Sequence, residues 1–336
     1  MPKKHELEFA NFILRFGEDR KLLDLVEEIV IPAFTSDLER MGGESRHFFQ
    51  DVRLVNLAME SEIEQSEPVI AVVGRYIKDT TVQREQVYNN DTDELIKDDE
   101  SLRTSPSSIF VLVLNIHRLL YFAETKYAPT LTSFQTTIRH FLRAKYNDYM
   151  TTLYEARSNL RITKKQIYSE YEPPNLEVIP LSDDAGISQF IDRYDLLKTA
   201  QISLVTTNNE LDNAGLLKQL RQSKDAVLSD ITTIRHHSTK GLSKGGVKAQ
   251  VTSAVSQGNA KVVLKGKDRE GNKLEVTNDT FKIRRQIPDP PLTLNGIVKK
   301  CYEQFELLRE AGAIRVGELL DDVSDKIEQI RNHRDL

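Results

Sequence analysis

Glu124 and Lys126, a carboxylate and an ammonium two residues apart, follow an apolar run from Leu119 to Phe122. At a strand end this Glu-x-Lys spacing suits metal-assisted hydrolysis, with the carboxylate holding a cation and the lysine steadying the attacking water. Asp98, Asp99 or Glu100 would have to supply the second carboxylate. Phosphate binding is the other chemistry on offer. From Ser238 to Gly246, Lys240 and Lys244 alternate with glycines that let backbone amides approach an anion, and Lys248 follows. The nucleotide-binding loop pattern fails here, because Val247 stands where Gly-Lys-Ser/Thr would be needed. The densest cations lie further on. Lys261, Lys265 and Lys267 alternate along one side of an expected strand, with Val262 and Leu264 on the other. Arg269 stands in the turn, and Lys273, Arg284 and Arg285 follow. A two-stranded ribbon can enter a groove or lie along a nucleic-acid backbone, and lysines in reach of phosphates release counterions. Phe281 is the one aromatic between Arg235 and Arg285, so a duplex is expected rather than unstacked bases.

Other chemistries lack their residues. His5, His47, His117, His140, His236, His237 and His333 show no metal-binding spacing, and there is no Gly-x-Ser-x-Gly elbow. Cys301 shares a helical face with Ile297 and Phe305, which predicts packing rather than nucleophilic use. A lone cysteine forms no internal disulfide and no thiolate cluster, which suits a reducing cytoplasm. No cofactor and no metal are expected. Charged residues interrupt the first sixteen positions, and no window approaches a membrane-spanning apolar length, so neither export nor membrane insertion is expected.

The net charge of -5 over 336 residues hides strong polarisation. The first 100 residues carry a net of -11, the stretch 126–165 a net of +6, and 235–285 a net of +8. Such separation is the footprint of one face meeting a polyanion.

The elements that must position these groups read as follows. Glu6 to Phe16 is an expected strand, Lys21 to Val30 a helix ended by Pro32, and Phe48–Leu57, Pro68–Ile77 and Thr80–Tyr88 strands of an antiparallel sheet. The acidic run Asp91 to Glu100 reads as a loop. Strands are expected at Ile109–Leu114 and Leu119–Phe122. The spacing of Phe134, Ile138, Phe141, Leu142, Tyr149 and Leu153 predicts one long amphipathic helix, with Arg139 and Arg143 off its apolar stripe. Pro173-Pro174 is the clearest break. Beyond it come strands at Leu176–Leu181 and Ala200–Thr206 around a helix from Ala185 to Tyr194, a helix from Asn213 to Leu228, and the basic hairpin. A strand at Phe281–Ile287 and two C-terminal helices complete the chain. In the last helix Val316, Leu320, Val323, Ile327 and Ile330 form a packing seam.

The expected fold is α+β, antiparallel sheets with packed helices, in two domains plus a C-terminal helical segment. Residues 1–170 form an acidic domain ending in the long helix, 171–290 a basic domain, and 291–336 helices suited to dimerisation.

From about Asp98 to Thr293 the order of features resembles the RexA exclusion-protein family of phage lambda and its distant relatives. The likeness lies in Lys97 to Leu102, in Phe122 to Thr130 and in the hairpin Lys265 to Leu274. The resemblance implies a dimeric, DNA-binding α+β protein acting in bacterial or prophage defence against phages, with largely sequence-independent duplex binding. This chain differs in its longer acidic N-terminal region and its Gly/Lys loop.

Together these readings predict a cytoplasmic, non-enzymatic homodimer. It would bind double-stranded DNA through Lys240, Lys244, Lys248, Lys261, Lys265, Lys267, Arg269, Lys273, Arg284 and Arg285, assisted by Arg139 and Arg143. The acidic N-terminal domain would contact a protein partner or mask the basic surface. The alternatives are a metal-dependent nuclease at Glu124 and Lys126, and an assembly protein of a defence complex.

Overall fold

The computed structural model describes residues 4–17, 19–60, 68–157, 163–205, 215–227, 229, 231–255, 258–316 and 321–334. In chain order the elements begin with β1 (Glu6–Phe16) and β2 (Arg20–Lys21). A continuous helical stretch follows, in 3₁₀ form over Leu22–Leu25, π form over Val26–Val30 and α form in α1 (Ile31–Thr35). Then come β3 (Glu39–Gly42), β4 (Ser45–Asn56), α2 (Leu57–Glu60), β5 (Ile70–Gln83), β6 (Gln86–Asn89), β7 (Glu94–Lys97), β8 (Ser101–Thr104), β9 (Ser107–Val113) and β10 (Arg118–Ala123). The middle of the chain holds α3 (Leu131–Ala156), α4 (Lys164–Glu170), β11 (Pro174–Pro180), α5 (Asp184–Asp192), β12 (Tyr194–Val205), α6 (Gly215–Ala226), β13 (Ile231–His237) and α7 (Lys244–Val255). The last elements are β14 (Ala260–Asp268), β15 (Lys273–Thr277), β16 (Arg284–Gln286), α8 (Leu294–Glu310) and α9 (Asp321–His333).

The architecture is α+β with antiparallel sheets. The larger sheet runs β11-β1-β10-β9-β5-β4-β3, with β2 and β16 also paired to β1 and β8 to the far end of β5. Its central strands are apolar at nearly every position because both faces are covered. Phe110 and Leu112 of β9 and Tyr121 of β10 meet Phe134, Ile138 and Phe141 of α3 on one face. Ile109 and Val111 of β9 and Phe122 of β10 meet Val298, Cys301 and Phe305 of α8 on the other. Helix α3 starts where Thr130, its N-cap, accepts a 3.2 Å hydrogen bond from the Ser133 amide.

The smaller sheet runs β13-β12-β14-β15. Ile187 and Ile191 of α5 and Val247 and Val251 of α7 pack on one face, against Ala200, Ile202, Leu204, Val262 and Leu264. Among the described residues no helix packs directly on the opposite face; α3 stands across a cleft from Lys261, Val263 and Thr277, and Val205 is buried against the larger sheet. The two sheets meet where Asn11 of β1 donates to the Gly258 carbonyl and Asn259 Oδ1, and where Ile13, Ile179 and Val205 pack together.

Several expectations change. Pro32 does not end the helix at Val30, since it lies in the first turn of α1, where a missing amide costs no hydrogen bond. The acidic run is not all loop, because Glu94–Lys97 pairs with β6 as a hairpin. Pro173-Pro174 separates α4 from β11, but β11 joins the larger sheet beside β1, as does β16. Residues 171–290 therefore contribute to both sheets rather than to one basic domain. The C-terminal seam is used within the chain: Ile327 and Ile330 are buried on the α3 side, and Lys326 pairs with Asp24 at 2.6 Å. That seam is therefore closed to a second copy. Leu320 lies outside the described residues. No helix among them is long and apolar enough to cross a membrane.

Candidate nucleic-acid interface

The open face of the smaller sheet is built by alternation. On β14, Val262 and Leu264 point into the core, which turns Lys261, Val263, Lys265 and Lys267 outward. Register carries the pattern across the sheet. Arg235, Gln201, Val263 and Thr277 form one cross-strand row, His237, Thr199, Lys265 and Glu275 the next, and Lys267 lies opposite Lys273. The face holds no Phe or Tyr side chain. The sheet reaches this geometry through two β-bulges in the β12–β14 pairing, one at Tyr194/Leu196 and one at Leu197/Thr199. Gly266 fits there because a Cβ would strike the Leu196 carbonyl oxygen.

Partners separate these cations into two groups. Lys261 pairs with Glu177 of β11 at 2.8 Å and Lys265 with Glu275 at 3.0 Å. Among the described residues Arg235, Lys267, Arg269 and Lys273 have no ion-pair partner, and all four are exposed. At the hairpin end, Lys248 pairs with Asp192 at 2.7 Å and holds that carboxyl below its usual range. Lys244 and Arg269 lower it further, which brings the first turn of α7 and the β14–β15 turn to one place. The turn is shaped by Asp268, whose carboxylate accepts from the Glu270 and Asn272 amides, and by Gly271 at φ 82°. Lys240 is exposed beside Gly241, which adopts φ 103° and lies against Leu196. The Gly/Lys stretch is thus a short loop followed directly by α7, beginning at Lys244.

A cleft of about 520 Å³ continues this surface toward α3. Gln135 and Arg139 of α3, Glu177 of β11, and Lys261, Thr277 and Asp279 line it. Arg139 donates to the Leu176 carbonyl at 2.7 Å. Residues 122 positions apart in the chain, Arg139 and Lys261, so come to face one space. Arg143, one turn further along α3, is exposed.

Arg284 and Arg285 stand elsewhere. Both are exposed on β16, at the edge of the larger sheet. Arg284 lies 3.5 Å from Glu6 and 3.7 Å from Glu8, and Lys282 pairs with Glu8 at 2.7 Å. Arg284 serves to compensate buried acids rather than to extend the open face. Burial raises the Glu8 carboxyl, and the two bases counter that effect.

Glu124 is committed as well. It accepts from Arg75 at 3.0 and 3.1 Å and from the Ser107 hydroxyl at 2.7 Å. Lys126 lies over the Tyr127 ring. Asp98 and Glu100 both pair with Arg84, nine residues from Arg75, a separation of roughly 30 Å along an extended strand. The carboxylates needed for a shared metal are not brought together, and no group of three metal-ligating side chains occurs among the described residues.

Gln201 and Ser203 are parts of the face absent from the sequence-based site, and Arg235 entered it only as the boundary of the basic stretch 235–285. The mixed run Ile231-Thr-Thr-Ile-Arg-His-His does not alternate between apolar and polar residues, and so β13 carries no period-two signal. A buried polar cluster was also not foreseen: Tyr76 Oη lies 2.9 Å from His47 Nδ1, 2.8 Å from Ser133 Oγ and 2.8 Å from Thr137 Oγ1. Burial, with Arg40 and Lys78 nearby, lowers the His47 pKa to about 4. The cluster ties β4 and β5 to α3.

The chain matches no protein-family model and no curated protein.

Proposed function

We propose that the open face of the smaller sheet binds double-stranded DNA without reading its sequence. The observation that carries this is an uncovered sheet face presenting Arg235, Lys267, Arg269 and Lys273 with no ion-pair partners among the described residues. Lysine and arginine at this density suit phosphate contacts, and the lack of Phe and Tyr on the face favours a backbone over stacked bases. Lys240 and Lys244 extend the charge at one end, and Lys261 and Arg139 lead it toward the cleft. Glu177 and Asp279 confine that cleft to weaker polyanion contact. A role in defence against phages is supported by the resemblance to the RexA family.

Titration of a labelled duplex at several salt concentrations tests the proposal. Binding should weaken linearly on logarithmic axes as salt rises, with similar affinity for unrelated sequences. Absent or salt-independent binding would refute it. Incubation of supercoiled plasmid with magnesium or manganese addresses the nuclease alternative: a shifted but uncut plasmid is expected, because Arg75 and Ser107 occupy the Glu124 oxygens.

A further inference from the structure

Beyond the larger sheet, β5 runs on past its pairing with β9 and forms a ribbon with β8, capped by the β6–β7 hairpin. This arm, 80–104, covers no core. Strands β6 and β7 pair only with each other, and every residue of β7 is exposed. A lone two-stranded ribbon is marginally stable in water, yet this one also exposes apolar side chains: Leu95 at 64% and Leu102 at 71%, with Val82, Tyr88 and Ile96 beside them. Its charge is acidic. Asp98, Asp99 and Glu100 are offset by Arg84 and Lys97, but Glu85, Asp91, Asp93 and Glu94 have no ion-pair partner among the described residues.

The open face of the smaller sheet is the complement of this arm. It offers four exposed cations without partners, and it includes the exposed Ile231 and the half-buried Val263 as apolar ground. Within one chain β1, β10 and β9 stand between β11, beside which the smaller sheet packs, and β5, from which the arm leaves. We propose that the acidic arm of one copy docks on the basic sheet face of a second copy, in a reciprocal homodimer. Leu95 and Ile96 would cover Ile231 and Val263, while Glu85, Asp91, Asp93 and Glu94 meet Arg235, Lys267, Arg269 and Lys273. The acidic region then masks the basic face in trans, and a polyanion competes with it.

Sedimentation velocity in the absence of nucleic acid tests the arm independently of DNA binding. The full chain should sediment as a dimer at low salt and dissociate as salt rises, since the contact is largely ionic. The arm variant Glu85→Lys/Asp91→Lys/Asp93→Lys/Glu94→Lys and the face variant Arg235→Glu/Lys267→Glu/Arg269→Glu/Lys273→Glu should each be monomeric, with circular dichroism spectra like that of the parent chain. An equimolar mixture of the two variants pairs one reversed arm with one reversed face and should recover a dimer. A monomer at every salt concentration, a dimer unaffected by the arm variant, or failure of the mixture to associate while both variants remain folded would overturn the proposal.

Discussion

Lys267 and Lys273 are register partners across β14 and β15, two ammonium groups directly opposite each other on an exposed face. One step along the ladder the equivalent pair is Lys265 with Glu275, at 3.0 Å. Like charges in the opposed position weaken strand pairing by ~0.2–1 kcal/mol, so the sheet retains here a pair that works against its own stability. A bound phosphate would relieve it.

Replacing both lysines by glutamine should therefore separate binding from folding. The melting temperature should stay level or rise slightly, while duplex affinity falls and the slope of log affinity against log salt drops by about 0.9 for each phosphate no longer neutralised. Thermal denaturation and fluorescence anisotropy would check the two halves, and a large loss of stability would assign the lysines to the fold instead.

Lys282→Met should do the reverse. It leaves Glu8, only 4% exposed at its side chain, without its 2.7 Å partner, and breaking a buried pair on one side costs about 3 kcal/mol. Urea denaturation should report that loss, with duplex affinity of the folded protein unchanged.

Acid should weaken the attachment of α3 to β4 and β5. His47 titrates normally near 6.5 when unfolded and at about 4 in the fold, because its buried ring must shed its proton to stay beside Tyr76 and Arg40. The unfolded chain takes up that proton first, so the stability is complete above 6.5 and is lost as the pH falls toward 4. Glu8, raised by burial, acts in the opposite direction. Comparing melting temperatures of the parent chain and His47→Gln across this window isolates the histidine, and the variant should show the flatter profile.

Gly266→Ala should destabilise the smaller sheet by about 1–3 kcal/mol, the cost of forcing a methyl group into a packed backbone. The added Cβ meets the Leu196 carbonyl and the Tyr194 ring where β12 bulges. Hydrogen exchange should show β12 and β14 opening more readily while β9 and β10 keep their protection.

The central strands β1, β4, β9 and β10 of the larger sheet were legible because apolar runs such as Ile109–Leu114 admit few other uses, and α3 was legible from its helical period; the short polar strands β2, β3 and β8 were not, and β5 was expected as two strands where it is one. The β14–β15 hairpin was legible too, because alternation and the Gly271-Asn272 turn agree on it. Strand β13 and helix α4 were missed, since neither carries enough apolar residues to declare a period; only the neighbouring β12 makes a strand of Ile231–His237.

Residue order alone determined which segments are basic, which face of β14 carries lysines, and that the acids are concentrated toward the N-terminus. It could not decide which cations remain available. In sequence Lys282 and Arg284 belong to the same basic run as Lys267 and Lys273, but folding seats them against Glu6 and Glu8 and leaves the other two unpaired. Charge attraction depends on distance in space, and those partners lie more than 270 positions away along the chain. The tertiary structure alone turned a list of lysines and arginines into one compensated group and one exposed face.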